Sequence, residues 1–168
     1  VLATIGFDFW FYGQSYNSVN LSSNGHASFA LASTTSANTT LPGPPAAAPN
    51  AVLAPFWDDF NPASVPGAVT GLMDGVAPNR RFTVTWNAPF VGGTDPVIFQ
   101  MSLYEIDGAI EYRYQDVNGA VPTNDAGLSA SIGIEDASGN VGKQVSLNSA
   151  SLTNGDRVRF DWLNDNDA

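Results

Sequence analysis

Asp58 and Asp59 stand side by side, with Asn61 two positions on. Hard oxygen donors at this density are what a calcium ion takes. It needs about six to eight of them, so a carboxylate from another loop, such as Asp74 or Asp8, would have to join. The structural alternative gives the same residues a local task. Neighbouring side chains on an extended strand project to opposite faces, so both reach one ion only at a bend. Otherwise one Asp caps backbone amides where the strand ends and the other is solvated. No run matches the EF-hand loop spacing. The aromatic residues Trp10, Tyr12, Tyr104 and Tyr112 form a second candidate set, because sugar rings stack on exposed aromatic faces. The competing use of large aromatics is the core.

Catalytic constellations are harder to assemble. Only three glutamates occur, Glu105, Glu111 and Glu135. A glycosidase needs two carboxylates across a cleft, one with its pKa raised by burial. Glu105 and Glu111 flank Asp107-Gly108 and are expected on the solvent face. His26 is the sole histidine. A triad needs a histidine between a carboxylate and a nucleophile. Ser22, Ser23 and Ser28 belong to an ordinary polar strand, and no Gly-x-Ser-x-Gly elbow occurs. His26 is expected as an exposed or hydrogen-bonded strand residue. With no cysteine in the chain, thiolate zinc sites and cysteine nucleophiles are excluded as well. The expectation is a domain that is not an enzyme.

The charge balance narrows the partners. The 168 residues carry a net charge of -10, with one lysine and five arginines. Phosphate binding needs clustered cations, and the close basic pairs are Arg80-Arg81 and Arg157/Arg159 alone. Nucleic acid and anionic membrane surfaces are therefore poor partners. No apolar run approaches the ~20 residues of a membrane-spanning helix, so no membrane insertion is expected, and no signal peptide is visible.

The elements that must position these residues read as strands. In Arg81 to Trp86, Phe82, Val84 and Trp86 share one face. Phe99, Met101 and Leu103 alternate with Gln100, Ser102 and Tyr104. Ile110, Tyr112 and Tyr114 alternate with Glu111, Arg113 and Gln115. In Arg157 to Trp162 the apolar residues Val158, Phe160 and Trp162 point inward. One buried and one wet face is the antiparallel pattern. Asp107-Gly108, between Val97–Ile106 and Ala109–Tyr114, predicts a two-residue type I′ hairpin. Residues 32–50, rich in Pro, Ser and Thr, read as a long surface loop, and Val117 to Gly127 as a shorter one. The fold class is all-β, an antiparallel, jelly-roll-like β-sandwich spanning 1–163 as a single domain. The polar residues 164–168 are expected to start a linker or tail.

Three segments carry a resemblance. They are Ile5 to Tyr16 running into Val19-Asn20-Leu21-Ser22-Ser23-Asn24-Gly25, then Ala51-Val52-Leu53-Ala54-Pro55-Phe56-Trp57-Asp58-Asp59-Phe60-Asn61, and Pro78 to Asn87 with the following hairpin and Ser131 to Glu135. Together they resemble the β-sandwich modules of bacterial secreted and cell-surface proteins, whose first half is like the nidogen-type extracellular domain. The resemblance implies an extracellular or cell-surface location and a non-catalytic role. That role is adhesive, matrix-forming or a structural spacer in a larger protein or filament. The implied partners are neighbouring domains or copies of the chain itself. Two alternatives stand beside it: a carbohydrate-binding module for extracellular polysaccharide, with calcium as a possible helper, and an accessory domain of a secreted peptidase. The resemblance supplies no catalytic residue. A large apolar residue is expected after Asn24-Gly25, where this chain has His26.

Overall fold

A computed structural model describes residues 1–44 and 49–162. The expected linker start, 164–168, lies outside the described residues. Among the described residues eleven strands form two antiparallel sheets, as the alternating patterns require. The first sheet contains β1 (Leu2–Phe11), β2 (Gln14–Leu21), β3 (Ala27–Ser28), β4 (Val52–Trp57), β9 (Ser131–Glu135) and β10 (Gly142–Leu147), side by side in that order. The second contains β11 (Arg157–Phe160), β8 (Ile110–Asp116), β7 (Pro96–Tyr104), β6 (Arg81–Pro89) and β5 (Val69–Asp74), again in that order.

The inner faces hold the core. Phe7, Phe9 and Phe11 of β1 meet Phe82, Val84 and Trp86 of β6, Phe99 and Met101 of β7, and Tyr112 and Tyr114 of β8. Burying side chains with polar tips is costly unless each tip finds a partner. The Tyr112 hydroxyl donates to the Gly133 carbonyl at 2.9 Å, Tyr114 to Pro55 at 2.7 Å, and the Trp86 indole to Ser22 at 2.8 Å. Each of these bonds ties the second sheet to a backbone carbonyl of the β1–β10 layer or its loops. Pro55 lies where the β4–β9 register shifts.

β4 is buried at all six positions, which follows from cover on its other face too. Leu41, Val52, Ala54 and Trp57 form a second, smaller apolar cluster. The loop ahead of β4 is held over this cluster by polar bonds. The Trp57 indole donates to the Thr35 carbonyl at 3.0 Å, Asn38 to Ser129 at 2.7 Å, and the Leu41 amide to Gln144 at 3.0 Å. The long loop thus acts as a strap across the outside of the first sheet.

One turn differs from expectation. The β7–β8 link is not a two-residue turn: Leu103 pairs with Ile110, and the Tyr104 carbonyl accepts the Gly108 amide at 3.1 Å. Asp107 is drawn aside to accept the Ala109 amide at 3.1 Å, and Glu105 is held by Arg80. The tight hairpin is instead β1–β2, where Phe11 pairs with Gln14 and both turn residues, Tyr12 (φ 46°) and Gly13 (φ 77°), take the left-handed conformation a type I′ turn needs.

Candidate functional site

The β1–β2 hairpin and the longer β7–β8 loop approach each other at one end of the sandwich. Between them lies an open cleft of about 420 Å³, lined by Asp8, Trp10, Tyr12, Tyr104, Asp107 and Trp162 among others. Alternation along β1 sends Phe9 and Phe11 into the core and leaves Asp8 and Trp10 outside. Trp10 is 62% exposed, an unusual state for the largest apolar side chain. Tyr12 is half-buried and meets Trp162 edge-on at 4.9 Å. Trp162 donates its indole N–H to the Gly108 carbonyl at 2.8 Å, which fixes the segment after β11 to the β7–β8 loop. Tyr104 is also half-buried, with the Arg159 guanidinium over its ring at 5.1 Å.

The acids in and beside the cleft differ in their commitments. Glu105 is gripped by Arg80, whose Nε donates at 2.8 Å and whose Nη2 closes the second bond. That hydrogen-bonded guanidinium holds the Glu105 carboxyl below its usual range. Arg80 also donates to the Gly6 carbonyl at 2.6 Å and lies over Phe7, pinning β1 against the β5–β6 turn. Asp107 pairs with Arg159 at 2.6 Å. Asp8, exposed beside Trp10, is the carboxylate best placed to accept hydrogen bonds from an incoming ligand. The arrangement offers an aromatic face with an acceptor at its side.

Three of the four aromatics singled out from sequence, Trp10, Tyr12 and Tyr104, therefore share one cleft. Tyr112 does not: it is fully buried, its ring in the core, and it cannot stack on a sugar. The sequence reading missed the site role of Trp162. It appeared only as the last inward residue of an alternating run, and the run's strand stops at Phe160.

Asp58 makes the capping bond of the structural alternative, and Asp59 is exposed. Asp58 is 5% exposed, and its carboxylate accepts the Asp59 amide at 2.8 Å, the Ser129 hydroxyl at 2.6 Å and an Asn124 N–H at 3.4 Å. Burial raises its pKa, opposed by those same bonds. Asp59 and Asn61 are exposed. Asp74, a proposed fourth donor, pairs with Arg81 at 2.7 Å. Among the described residues no group of three His, Cys, Asp or Glu side chains could hold a metal ion. The Asp58 carboxylate is thus already engaged by Ser129, Asn124 and the Asp59 amide.

Two further expectations are corrected. Glu111 is on the outer face of its sheet yet 2% exposed, because arginines of β8 and β11 cover it. His26 is hydrogen-bonded as one of its two expectations had it, with Nδ1 3.3 Å from the Asn24 carbonyl, but it is buried 4.7 Å from the Trp57 ring, lies just ahead of β3 rather than in a strand, and has Nε2 without a hydrogen-bond partner. Burial lowers its pKa to about 4. The pocket wants the apolar residue that the sequence pattern anticipated.

A sequence profile of the family described as NIDO related matches residues 2–161, and the chain belongs to that family. Membership points to an extracellular module, since NIDO-related domains are extracellular in general. No helix among the described residues is long and apolar enough to cross a membrane. No curated protein and no solved structure matches the chain.

Proposed function

We propose that this NIDO-related domain is a non-catalytic, extracellular adhesive module that holds carbohydrate in the cleft around Trp10. The observation that carries the reading is the 62% exposure of Trp10 beside Asp8, with Tyr12, Tyr104 and Trp162 along the same cleft. Leaving an indole in water forgoes a burial worth roughly 1.5–3 kcal/mol for a large apolar side chain, so an exposed one invites a ligand. The apolar face of a sugar ring covers Trp10 while its hydroxyls donate to Asp8. Electrostatics speak against Glu105 as a general acid. A general acid needs a raised pKa, and Arg80 pushes that of Glu105 the other way. Affinity electrophoresis of the domain against neutral polysaccharides tests the proposal. Retardation that Trp10→Ala weakens about tenfold or more supports it. Retardation unchanged by Trp10→Ala would place the ligand elsewhere.

A second reading, assembly with copies of itself, is favoured by one edge. β5 ends its sheet, with Leu72 66% and Met73 43% exposed. It lacks the proline or inward-pointing charge that commonly blunts such an edge. An added strand would gain main-chain hydrogen bonds there. Sedimentation of the domain at high concentration, beside Leu72→Lys, tests it. A concentration-dependent dimer lost in the variant is the expected result, and monomers throughout would refute it.

A further inference from the structure

The outer face of the second sheet carries a different arrangement from the Trp10 cleft. Strand register places Thr70 opposite Thr85, Thr85 opposite Gln100, Gln100 opposite Arg113, and Arg113 opposite Arg157. These five side chains form one row that crosses all five strands, about 19 Å at the usual ~4.8 Å strand spacing. Two hollows of about 280 and 470 Å³ lie along it and share Gln100 and Arg113. The row is partly set in place by its own bonds: Gln100 donates to the Thr85 hydroxyl at 3.0 Å, and Thr83 and Ser102 beside it lie 2.9 Å apart.

The arginines of the chain concentrate on this face. The chain has six basic residues and a net charge of -10, yet Arg81, Arg113, Arg157 and Arg159 all belong to this face. At its centre the buried Glu111 lies 2.5 Å from Arg113 Nε, 3.5 Å from Arg157 Nη1 and 4.0 Å from Arg159 Nη1, and it accepts the Tyr104 hydroxyl at 3.2 Å. Arg159 is further balanced by Asp107 and Asp161, and Arg81 by Asp74. Asp156, at the end of the larger hollow, accepts the Thr153 amide at 2.7 Å. Arg113 and Arg157 have only Glu111 as an ion-pair partner among the described residues, and their side chains are 50% and 61% exposed. One buried carboxylate thus positions two half-exposed guanidiniums, whose remaining N–H donors face the hollows.

We propose that this row is a binding site for an anionic polysaccharide, whose carboxylate or sulfate groups pair with Arg113 and Arg157 while its hydroxyls bond Gln100, Thr85 and Thr70. Guanidinium recognises either anion through paired N–H donors. A protein partner would want an aromatic or aliphatic anchor at the centre, and the row has none. A nucleic acid would want many more cations than the face supplies. The inference does not rest on the cleft at Trp10.

The test is affinity electrophoresis of the intact domain in gels containing polygalacturonate, chondroitin sulfate or neutral hydroxyethylcellulose. Retardation is expected in at least one polyanion, with polygalacturonate alone marking carboxylate recognition and chondroitin sulfate alone marking sulfate. It should fall several-fold in Arg157→Gln, fall also in Gln100→Ala, which leaves the ion pairs intact, and persist in Trp10→Ala. Circular dichroism confirms that each variant is folded. No retardation in either polyanion overturns the proposal. So does retardation unchanged by Arg157→Gln, or an equal loss in Lys143→Gln on the other sheet.

Discussion

His26 should make the domain acid-sensitive well above the range where carboxylates titrate. The residue is 1% exposed, its ring tilted against Trp57, with Nε2 unpartnered. Burial lowers its pKa from 6.5 to about 4. In the unfolded chain the imidazole takes up a proton near 6.5, whereas in the folded chain it stays neutral until about 4. Between those values the unfolded state binds more protons, so stability falls as the pH falls. At ~1.36 kcal/mol per pKa unit, moving from about pH 7.5 to about pH 5 removes on the order of 2 kcal/mol. Asp58 and Glu135, whose pKa values burial raises, work in the opposite sense, because protonation relieves them, and they soften the loss at the acid end. Urea denaturation of wild type and His26→Leu at several pH values measures the effect. The leucine variant should be at least as stable at about pH 7.5, since it removes a buried polar atom that lacks a partner, a burden of roughly 1–3 kcal/mol. Its stability should then stay nearly flat down to about pH 5. A wild-type loss that the variant reproduces in full would refute the assignment to His26.

Two other outcomes follow from the same geometry. Tyr114→Phe deletes the hydroxyl that reaches the Pro55 carbonyl; thermal or urea unfolding should report a loss of about 1–2 kcal/mol with the fold retained, most of it from the buried acceptor left unpaired. Asp58→Ala removes the acceptor shared by Ser129, Asn124 and the Asp59 amide; it should lower stability by roughly 1–3 kcal/mol. The wild-type melting temperature should be the same in calcium and in chelator, and a rise of several degrees with calcium would restore the metal reading of Asp58 and Asp59.

Much of the sandwich was legible because strand alternation reports faces directly. Phe82, Val84 and Trp86, and Phe99, Met101 and Leu103, face inward as their spacing requires. The same alternation placed Tyr112 inward beside Ile110 and Tyr114, and Tyr104 outward; grouping both tyrosines as sugar platforms set that periodicity aside. Glu111 also lies on the outer face, as its position predicts. Its burial comes from Arg157 and Arg159 of a strand distant in sequence, and alternation gives faces but not neighbours. The strap ahead of β4 could be read only as a loop, because it is fastened through backbone carbonyls such as that of Thr35, which leave no mark in side-chain pattern. The β7–β8 turn was misjudged because tertiary bonds to Glu105 and Asp107 override the local preference of Asp-Gly. In the cleft, Tyr104 was visible as an outward aromatic on its strand, and Trp10 was legible only as one of several candidate platforms. Trp162 was not, since its place depends on a hydrogen bond to Gly108 across 54 residues.

The proposed function requires the exposed indole of Trp10 to be a contact surface. The most direct measurement is tryptophan fluorescence of the domain titrated with neutral oligosaccharides, for wild type and Trp10→Ala side by side. The account predicts a saturable change in emission for at least one oligosaccharide, absent in the variant and indifferent to chelator. A panel that leaves the wild-type emission unchanged, or a saturable change that survives in Trp10→Ala, would contradict it.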